Sequence, residues 1–349
     1  MNHSKSKNSV CVLGIDIGKT KFQLCGLTQS GHKVIDRQLT RKHLPEFVVN
    51  LAPCLIGIES CSGANYWARL FRGYGHEVRL IAPQFVKPFV KSNKNNRADA
   101  EAICEAIQRP GMRFVAIKEI EQQDVQSLHR IRSQVLANRT ALVNQIRSLL
   151  HEYGINLPPG RRTVRTNIVL VLEDAANGLT TRFRHWLSDL LDDLIRLDER
   201  IENLDKEILQ IARSDERSRR LMQVPGIGPM CATALLAAVG DIKHFRNGRE
   251  LAAWVGLVPR QYSTGGKPTL LGISKRGDVY LRQLLVHGAR AVVRRVDGKT
   301  NRHSVWLSNL LERRHKNVAT VAVANKMVRT AYALLKHGTD YHPVAGTVH

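Results

Sequence analysis

Acidic residues are scarce in this 349-residue chain: 30 Asp and Glu stand against 53 Lys and Arg, a formal net charge of +23. So large an excess points to a polyanionic partner rather than to a small neutral substrate. Long apolar runs are missing too. No stretch reaches about 18 uninterrupted apolar residues, the length a membrane-spanning helix needs. The opening MNHSKSKNSV has no signal-peptide core, so no secretion signal is expected there. Cysteine is sparse. Cys11, Cys25, Cys54, Cys61, Cys104 and Cys231 are scattered and form no CxxC pair, which argues against a disulfide framework or a structural zinc site. A protein of the reducing cytoplasm, without a membrane partner, is the expectation.

The positive charge is segregated. Residues 1–118 hold 18 Lys and Arg against 8 Asp and Glu, residues 119–212 hold 12 against 14, and residues 213–349 hold 23 against 8. Two basic ends around a balanced middle suggest two surfaces for nucleic acid joined by a structural element. A generally basic surface kept for solubility would not need that segregation.

Hydrophobic patterning divides the chain at the same places. Val10–Leu27 reads as two strands around a turn at Gly18 and Lys19, Lys33–Leu39 as a third, Leu55–Glu59 as a short buried strand and His76–Ala82 as another. Helices are expected near Tyr66–Tyr74 and over Asp99–Gln108, with Pro83–Val90 a connection. Strands followed by alternating helix and strand indicate an α/β domain over residues 1–115. Residues 116–212 read as helical. Leu128, Val135, Leu142 and Leu149 recur every seven residues with Ile131 and Ile146 beside them, and Pro158, Pro159 and Gly160 end that helix. Leu187, Leu190, Leu194, Leu197, Ile201, Leu204, Ile208 and Ile211 alternate steps of three and four. That seam fits an antiparallel coiled-coil hairpin, a dimerising coil or an ordinary bundle helix. Residues 213–349 form a mainly α, basic domain, with helices at Gly248–Val255, Val279–Arg295 and Val318–Leu335, a polar loop between the first two, and a loose tail over His337–His349.

Three features carry chemistry. Asp16 and Glu59 end strands, and Asp99 opens a helix after the polar segment Lys91–Arg97. Carboxylates converging there can hold Mg²⁺, a hard cation that takes oxygen ligands and bridges to phosphate. Singly, each is more often a cap or a surface charge, and Asp99 would make a good N-cap. The second feature is Leu221–Leu236, which fits the helix–hairpin–helix pattern at its apolar, Gly and Ala positions. Gly226 and Gly228 would let the backbone approach a phosphate without reading base sequence. The third is a polar, Gly-rich loop holding Ser263 and Thr264 among Arg260, Lys267, Lys275, Arg276 and Arg282. A hydroxyl amid those cations could attack a phosphodiester. The plainer alternative is a phosphate-binding loop whose serine only donates a hydrogen bond, and the residues alone favour it.

Together GIDIGKTKFQL, IGIESCSGANYWARL, VKPFVKSNKNNRADAEAICEAI, RPGMRFV, VPGIGPMCATALLAAVGD, LAAWVGLVPRQYSTGGKPTLLGISKRGD and YLRQLLVHGARAVV resemble the DEDD-type insertion-sequence transposases of the IS-one-ten family, particularly its IS-eleven-eleven branch. The resemblance implies a RuvC/RNase H-like first domain whose four acids bind Mg²⁺. Asp16 matches the first acid, Glu59 the second and Asp99 the fourth. The third acid of the family pattern NKND-x-x-DAEAI falls on Asn96, a departure. The resemblance also implies a catalytic serine, matched by Ser263 with Thr264 its rival, which forms a covalent link to a cleaved strand. It further implies donor and target DNA, a structured guide RNA, a homodimer or homotetramer, and a nucleoid-associated place in a bacterial cytoplasm. Two other readings are a RuvC-like nuclease that hydrolyses with water, which leaves the serine loop without a task, and a catalytically impaired nucleic-acid scaffold, favoured if Asn96 abolishes cleavage. A sugar-kinase or actin-like ATPase is disfavoured because GIDIGKTK has no second matching half.

Overall fold

The computed structural model describes residues 9–91, 95–158, 160–296 and 301–342. The expectations for the leader before residue 9, for residues 92–94 of the polar segment, for Pro159 and for the tail beyond residue 342 lie outside the described residues. The chain divides into two compact units, residues 1–120 and 121–349. The first is a mixed α/β sheet and the second is helical, as expected. Lys118 N–H donates to Asn65 Oδ1 at 3.0 Å, which ties the end of the first unit to its α/β body.

In the first unit β1 (Val12–Ile17), β2 (Lys21–Leu27) and β3 (Lys33–Thr40) form an antiparallel meander, followed by α1 (His43–Val49), β4 (Leu55–Glu59) and α2 (Ala64–Gly73). Then come β5 (Glu77–Ile81), the short α3 (Pro83–Val86), α4 (Asn96–Ile107) and β6 (Phe114–Val115). The sheet order is β3-β2-β1-β4-β5-β6, with β4 parallel to β1 and β5 parallel to β4. Side chains alternate between the two faces. Leu13, Ile15, Ile56 and Ile58 bury one face with Trp67 and Phe71 of α2. Val12, Cys25 and Ile81 bury the other with Ala100, Ile103, Cys104 and Ile107 of α4. The stretch Pro83–Val90, expected as a plain connection, contains α3, because Pro83 sits at the first helical turn where its missing N–H costs nothing.

The second unit opens with α5 (Ile120–His151), α6 (Arg161–Glu173) and α7 (Thr181–Ser214). Arg132 pairs with Asp205, and Arg139 with Asp198 at 3.2 Å, so seven residues forward on α5 match seven back on α7: the two helices run antiparallel. Leu142, Ile146 and Leu150 share a buried cluster with Phe183, Leu187, Leu191 and Leu194. Ile131, expected beside the seam, is exposed, while Ile146 is buried. After α8 (Glu216–Met222), α9 (Pro229–Val239) and α10 (Gly248–Val255), the expected polar loop is instead a two-stranded ribbon, β7 (Pro259–Thr264) and β8 (Lys267–Ile273). The pair Gly265-Gly266, with φ of +56° and +76°, makes the tight turn that a two-residue hairpin requires. The helices α11 (Val279–Arg294), α12 (Arg302–Arg313) and α13 (Lys316–His337) complete the unit. The tail, expected to be loose, is held at its start: Asp340 accepts from Gln223 Nε2 at 3.1 Å, and Tyr341 N–H donates to Gln223 Oε1 at 2.8 Å.

One buried histidine ties the helical stretch to the basic one. His129 of α5 is 3% exposed and meets Tyr280 Oη at 3.0 Å and Thr233 Oγ1 at 2.9 Å. Burial, and then the nearby Arg132 charge, push its pKa down to about 4. Below pH 6.5 the unfolded chain takes up a proton that folded His129 refuses, so stability falls as pH drops from 6.5 toward 4. The full effect is roughly 3 kcal/mol. Thermal melts between pH 6.5 and 5 should show this loss in the native chain and a flatter profile in His129→Gln. Parallel profiles would remove the histidine from the linkage.

Gly226, at φ +91°, supports a second prediction. A Cβ there would lie 2.9 Å from Gly288 O and from Met327 Cε, and a Cβ at Gly288 would lie 1.9 Å from Gly226 O. Gly228 has nothing within 4 Å of its Cβ position. Gly226→Ala should therefore cost about 2–3 kcal/mol in urea unfolding, from overpacking and the left-handed backbone, whereas Gly228→Ala should stay within about 1 kcal/mol. Equal losses at the two positions would contradict the packing argument.

Candidate metal centre and nucleic-acid interface

The parallel register brings the first two acids together. Ile15 pairs with Ile58, so the next residues on the neighbouring strands β1 and β4 are Asp16 and Glu59. Both alternate onto the face that carries α4. Two missing side chains allow that helix to lie close. A Cβ at Gly14 would meet Ala100 O at 2.4 Å and Cys104 Sγ at 2.8 Å, and one at Gly57 would meet Ile103 Cγ2 at 2.8 Å. Asn96 and Asp99 extend the same helical stripe one turn toward its N-terminus, since residues three and four apart share a face. Asn96 is exposed and Asp99 half-buried.

The expectation that Asp99 caps α4 is corrected. Asn95 is the N-cap, and its side chain accepts from Ala98 N–H at 2.7 Å. Asp99 sits three residues inside the helix, too far along to cap it, and its carboxylate is spared that duty.

Electrostatics support one shared acidic region. The thiol of Cys61 is pushed up by burial, then by the negative charges of Glu59 and Asp16. Sequence reasoning missed Cys61, and it also missed Gln23. Gln23 is the cross-strand partner of Asp16, on the same face, and is 8% exposed. Its Nε2 donates to Asp36 Oδ1 at 3.0 Å, and Arg97 of α4 pairs with the same Asp36 oxygen at 3.0 Å. This chain of contacts fixes the first turn of α4 beside Asp16. The β1–β2 register contained the signal for Gln23, since any residue facing Asp16 across a hairpin shares its face.

Four metal ligands are not assembled. Among the described residues no three His, Cys, Asp or Glu side chains lie close enough to hold a metal ion. Asp16 and Glu59 are an adjacent pair, Asp99 stands off on α4, and position 96 supplies an amide. The donor set suits a hard divalent cation: these are oxygen ligands, with further positions open to phosphate oxygens or water.

In the second unit the ribbon β7–β8 is exposed along nearly all its length, with Tyr262 68% and Leu270 65% accessible. Ser263 pairs with Pro268 and Thr264 with Lys267, so the two hydroxyl residues point to opposite faces. Gln261 Nε2 donates to Ser263 Oγ at 2.8 Å. Arg260 and Lys267 lie exposed on the ribbon, and Lys275 and Arg276 at its root. Lys275 takes a positive φ of 54°, uncommon for a residue with a Cβ. The root is closely packed. A Cβ at Gly256 would meet Arg276 O at 2.1 Å, and one at Gly277 would meet Trp254 O at 2.0 Å. Arg282, expected among the nucleic-acid contacts, is placed differently: its Nη1 donates to Val255 O at 3.0 Å and Arg276 O at 2.9 Å, clamping the root.

The expected hairpin glycines also separate. Gly226 faces inward against α11 and α13, so its missing Cβ serves packing. Gly228 is the extended N-cap of α9, with open space where a side chain would stand. Of the two, only Gly228 lies open to the outside at the helix N-terminus.

No helix among the described residues is long and apolar enough to cross a membrane. A DEDD-type transposase family of the IS110 group matches residues 13–155, and the Transposase IS116/IS110/IS902 family matches residues 218–304. A probable family 20 transposase of Pseudomonas aeruginosa is 49% identical over 95% of this chain and 98% of its own length. The transposase for insertion sequence element IS1111A of Coxiella burnetii is 45% identical over 97% of this chain and 93% of its own. The transposase for IS1328 of Yersinia enterocolitica is 40% identical, over 95% and 99% respectively. DEDD transposases depend on a metal, typically divalent. With relatives this similar along nearly its whole length, the chain belongs to the IS116/IS110/IS902 family and is an enzyme, a DNA transposase.

Proposed function

We propose that this transposase moves its element by serine-based strand exchange, with the nucleophile on the ribbon and a metal-dependent acidic centre on the sheet. The carrying observation is Ser263 Oγ, displayed on an exposed ribbon that also bears Arg260 and Lys267, and receiving the Gln261 amide. Because Oγ accepts that hydrogen bond, its own proton is left to give away. In the step proposed, an Oγ–P bond forms as one P–O bond of the DNA breaks. The leaving oxygen takes a proton and the serine proton passes to solvent. Attack by a DNA hydroxyl on the phosphoserine reverses the chemistry and rejoins the strand. Cations beside the phosphate stabilise the charge that builds up in the transition state.

A RuvC/RNase H-like first domain would use Asp16, Glu59 and Asp99, with the Asn96 amide oxygen, to hold Mg²⁺ against a scissile phosphate. A bound Mg²⁺ would polarise the phosphate and stabilise the leaving oxygen. The two-adjacent-acids register and the seating of α4 support this reading. The segregated charge supports two nucleic-acid surfaces, one for a structured guide RNA and one for donor and target DNA. On the second surface Gly228, Lys275 and Arg276 would contact phosphates as part of a helix–hairpin–helix and ribbon platform. The three-part organisation, with residues 116–212 as a coiled-coil element that helps build a dimer or tetramer, belongs to the same proposal. The acidic centre would then act on a strand held by another protomer's serine.

Ser263→Ala should abolish strand exchange, by 10³-fold or more, while leaving DNA and RNA affinity within about twofold. Trapping of a covalent protein–DNA adduct should be lost in parallel. Normal recombination by Ser263→Ala with a dead Thr264→Ala would move the nucleophile to Thr264. Full activity in both would leave water as the nucleophile, the hydrolytic nuclease reading.

Asn96 favours a second reading, that this chain binds its nucleic acids and cleaves poorly. An amide oxygen ligates without charge, and the NH₂ cannot coordinate. Asn96→Asp should tighten Mg²⁺ or Mn²⁺ binding about tenfold or more by titration calorimetry, and raise recombination with matched RNA by orders of magnitude. The new carboxylate would also suit the N-terminus of α4, adding up to about 1 kcal/mol of stability. Higher stability with unchanged metal affinity and unchanged activity would place position 96 outside the metal site.

A further inference from the structure

The second unit contains a concave site that the serine and hairpin assignments do not use. Pro225 of the α8–α9 hairpin, the first turns of α12 (Arg302, His303 and Trp306), Lys326 of α13 and Tyr341 enclose a cavity of about 480 Å³. That volume lies in the range of pockets that hold a single small organic molecule. Its chemistry is cationic and aromatic together. Lys326 Nζ lies 4.3 Å from the centroid of the Trp306 ring, and the His303 ring stands 5.5 Å from the same indole. Burial, and then the charges of Arg302 and Arg329, hold the Lys326 ammonium below its usual range. The carboxylate that reaches this corner, Asp340, is taken by Arg220 at 3.6 Å and by Gln223. Among the described residues no carboxylate pairs with Arg302 or Lys326, and cations gathered in this way are stabilised by an anion from outside. The first turn of α12 adds its N-terminal dipole to the same rim.

We infer that this pocket takes one unpaired nucleotide of a nucleic-acid strand, its phosphate held by Arg302 and Lys326 and its base against the aromatic wall of Trp306 and Tyr341. A paired duplex is far too wide to enter a cavity of this size, so only an extruded or terminal nucleotide fits. Aromatic faces beside cations are the means by which proteins hold single strands without reading sequence. The pocket adjoins a second, larger groove. Trp306, Lys326 and Thr330 line both, and the groove runs to Pro259 and Ile273 at the root of the ribbon. A nucleotide seated here would anchor a strand whose neighbours lie along the path to Ser263. The inference rests on the reading of this unit as a nucleic-acid surface, but it concerns residues and a strand state that the serine reading does not need.

The test uses the full chain and two DNA probes of one sequence: a fully paired duplex, and the same duplex with one unpaired 2-aminopurine. The native chain should bind the bulged probe about tenfold or more tightly than the paired one, and should change the 2-aminopurine fluorescence through stacking. In Arg302→Gln/Lys326→Gln that preference should shrink to less than twofold, with paired-duplex affinity falling far less. Tyr341→Ala, at the pocket rim beyond the end of α13, should lose the fluorescence change; because Tyr341 also packs on the edge of the core, a melting curve on the variant separates that loss from unfolding. Equal proportional losses for both probes would overturn the inference and make these cations part of the general basic surface. No preference in the native chain would also overturn it while leaving the wider nucleic-acid reading intact. Failure of both probes to bind at low salt would overturn that wider reading together with the pocket.

Discussion

The first unit depends on two absent side chains. With hydrogen at Gly14 and Gly57, the backbone of α4 packs directly on β1 and its Ile103 and Ile107 side chains pack directly on β4, and the placing of the residues near the acids follows from that approach. The helix carries Asn96 and Asp99 at its open end, so its seating sets how far those residues stand from Asp16 and Glu59. A methyl at position 14 would meet the α4 backbone and push the helix away; on the proposed metal reading that shift would exceed the tolerance of a ligand set, a few tenths of an ångström. The Gln23–Asp36–Arg97 contacts secure the same helix end from the other side. Packing and chemistry share one cause here.

The second unit repeats the device with different consequences. The mutual approach of Gly226 and Gly288 fixes the α8–α9 hairpin against α11 and α13, which turns Gly228 and Pro225 outward. The His129 network extends the same rigid body back into α5. The hairpin therefore presents its outer face from a stiff support, whereas the ribbon projects from a root held by backbone contacts and by the Arg282 clamp.

Local pattern made much of this legible and distance in sequence hid the rest. Leu55–Glu59 is a strand over the residues expected, because five apolar or strand-ending residues between turns leave no room for a helix. The pairing of Asp16 with Glu59 follows once those strands are parallel neighbours. The ribbon was not legible: QYSTGGKPT has no clean alternation, and two glycines read equally well as a loop or a hairpin turn. Asn95 and Asp99 both suit an N-cap, and the choice between them depends on where the helix begins. The inward use of Gly226 and the meeting of Arg302 with Lys326 depend on contacts between segments tens of residues apart. The order of residues alone does not display them.

The ribbon that bears Ser263 has a further consequence. A two-stranded hairpin standing alone in water is only marginally stable, and this one exposes Tyr262 and Leu270 instead of burying them. Both of its outer edges are unpaired among the described residues. Its order must therefore come from whatever it is pressed against. On the proposed serine reading, a nucleophile mounted on such a support would be held firmly only where a partner surface completes it. Restraint of the enzyme away from its assembled substrate would then come from the weakness of its own scaffold, with no separate inhibitory part.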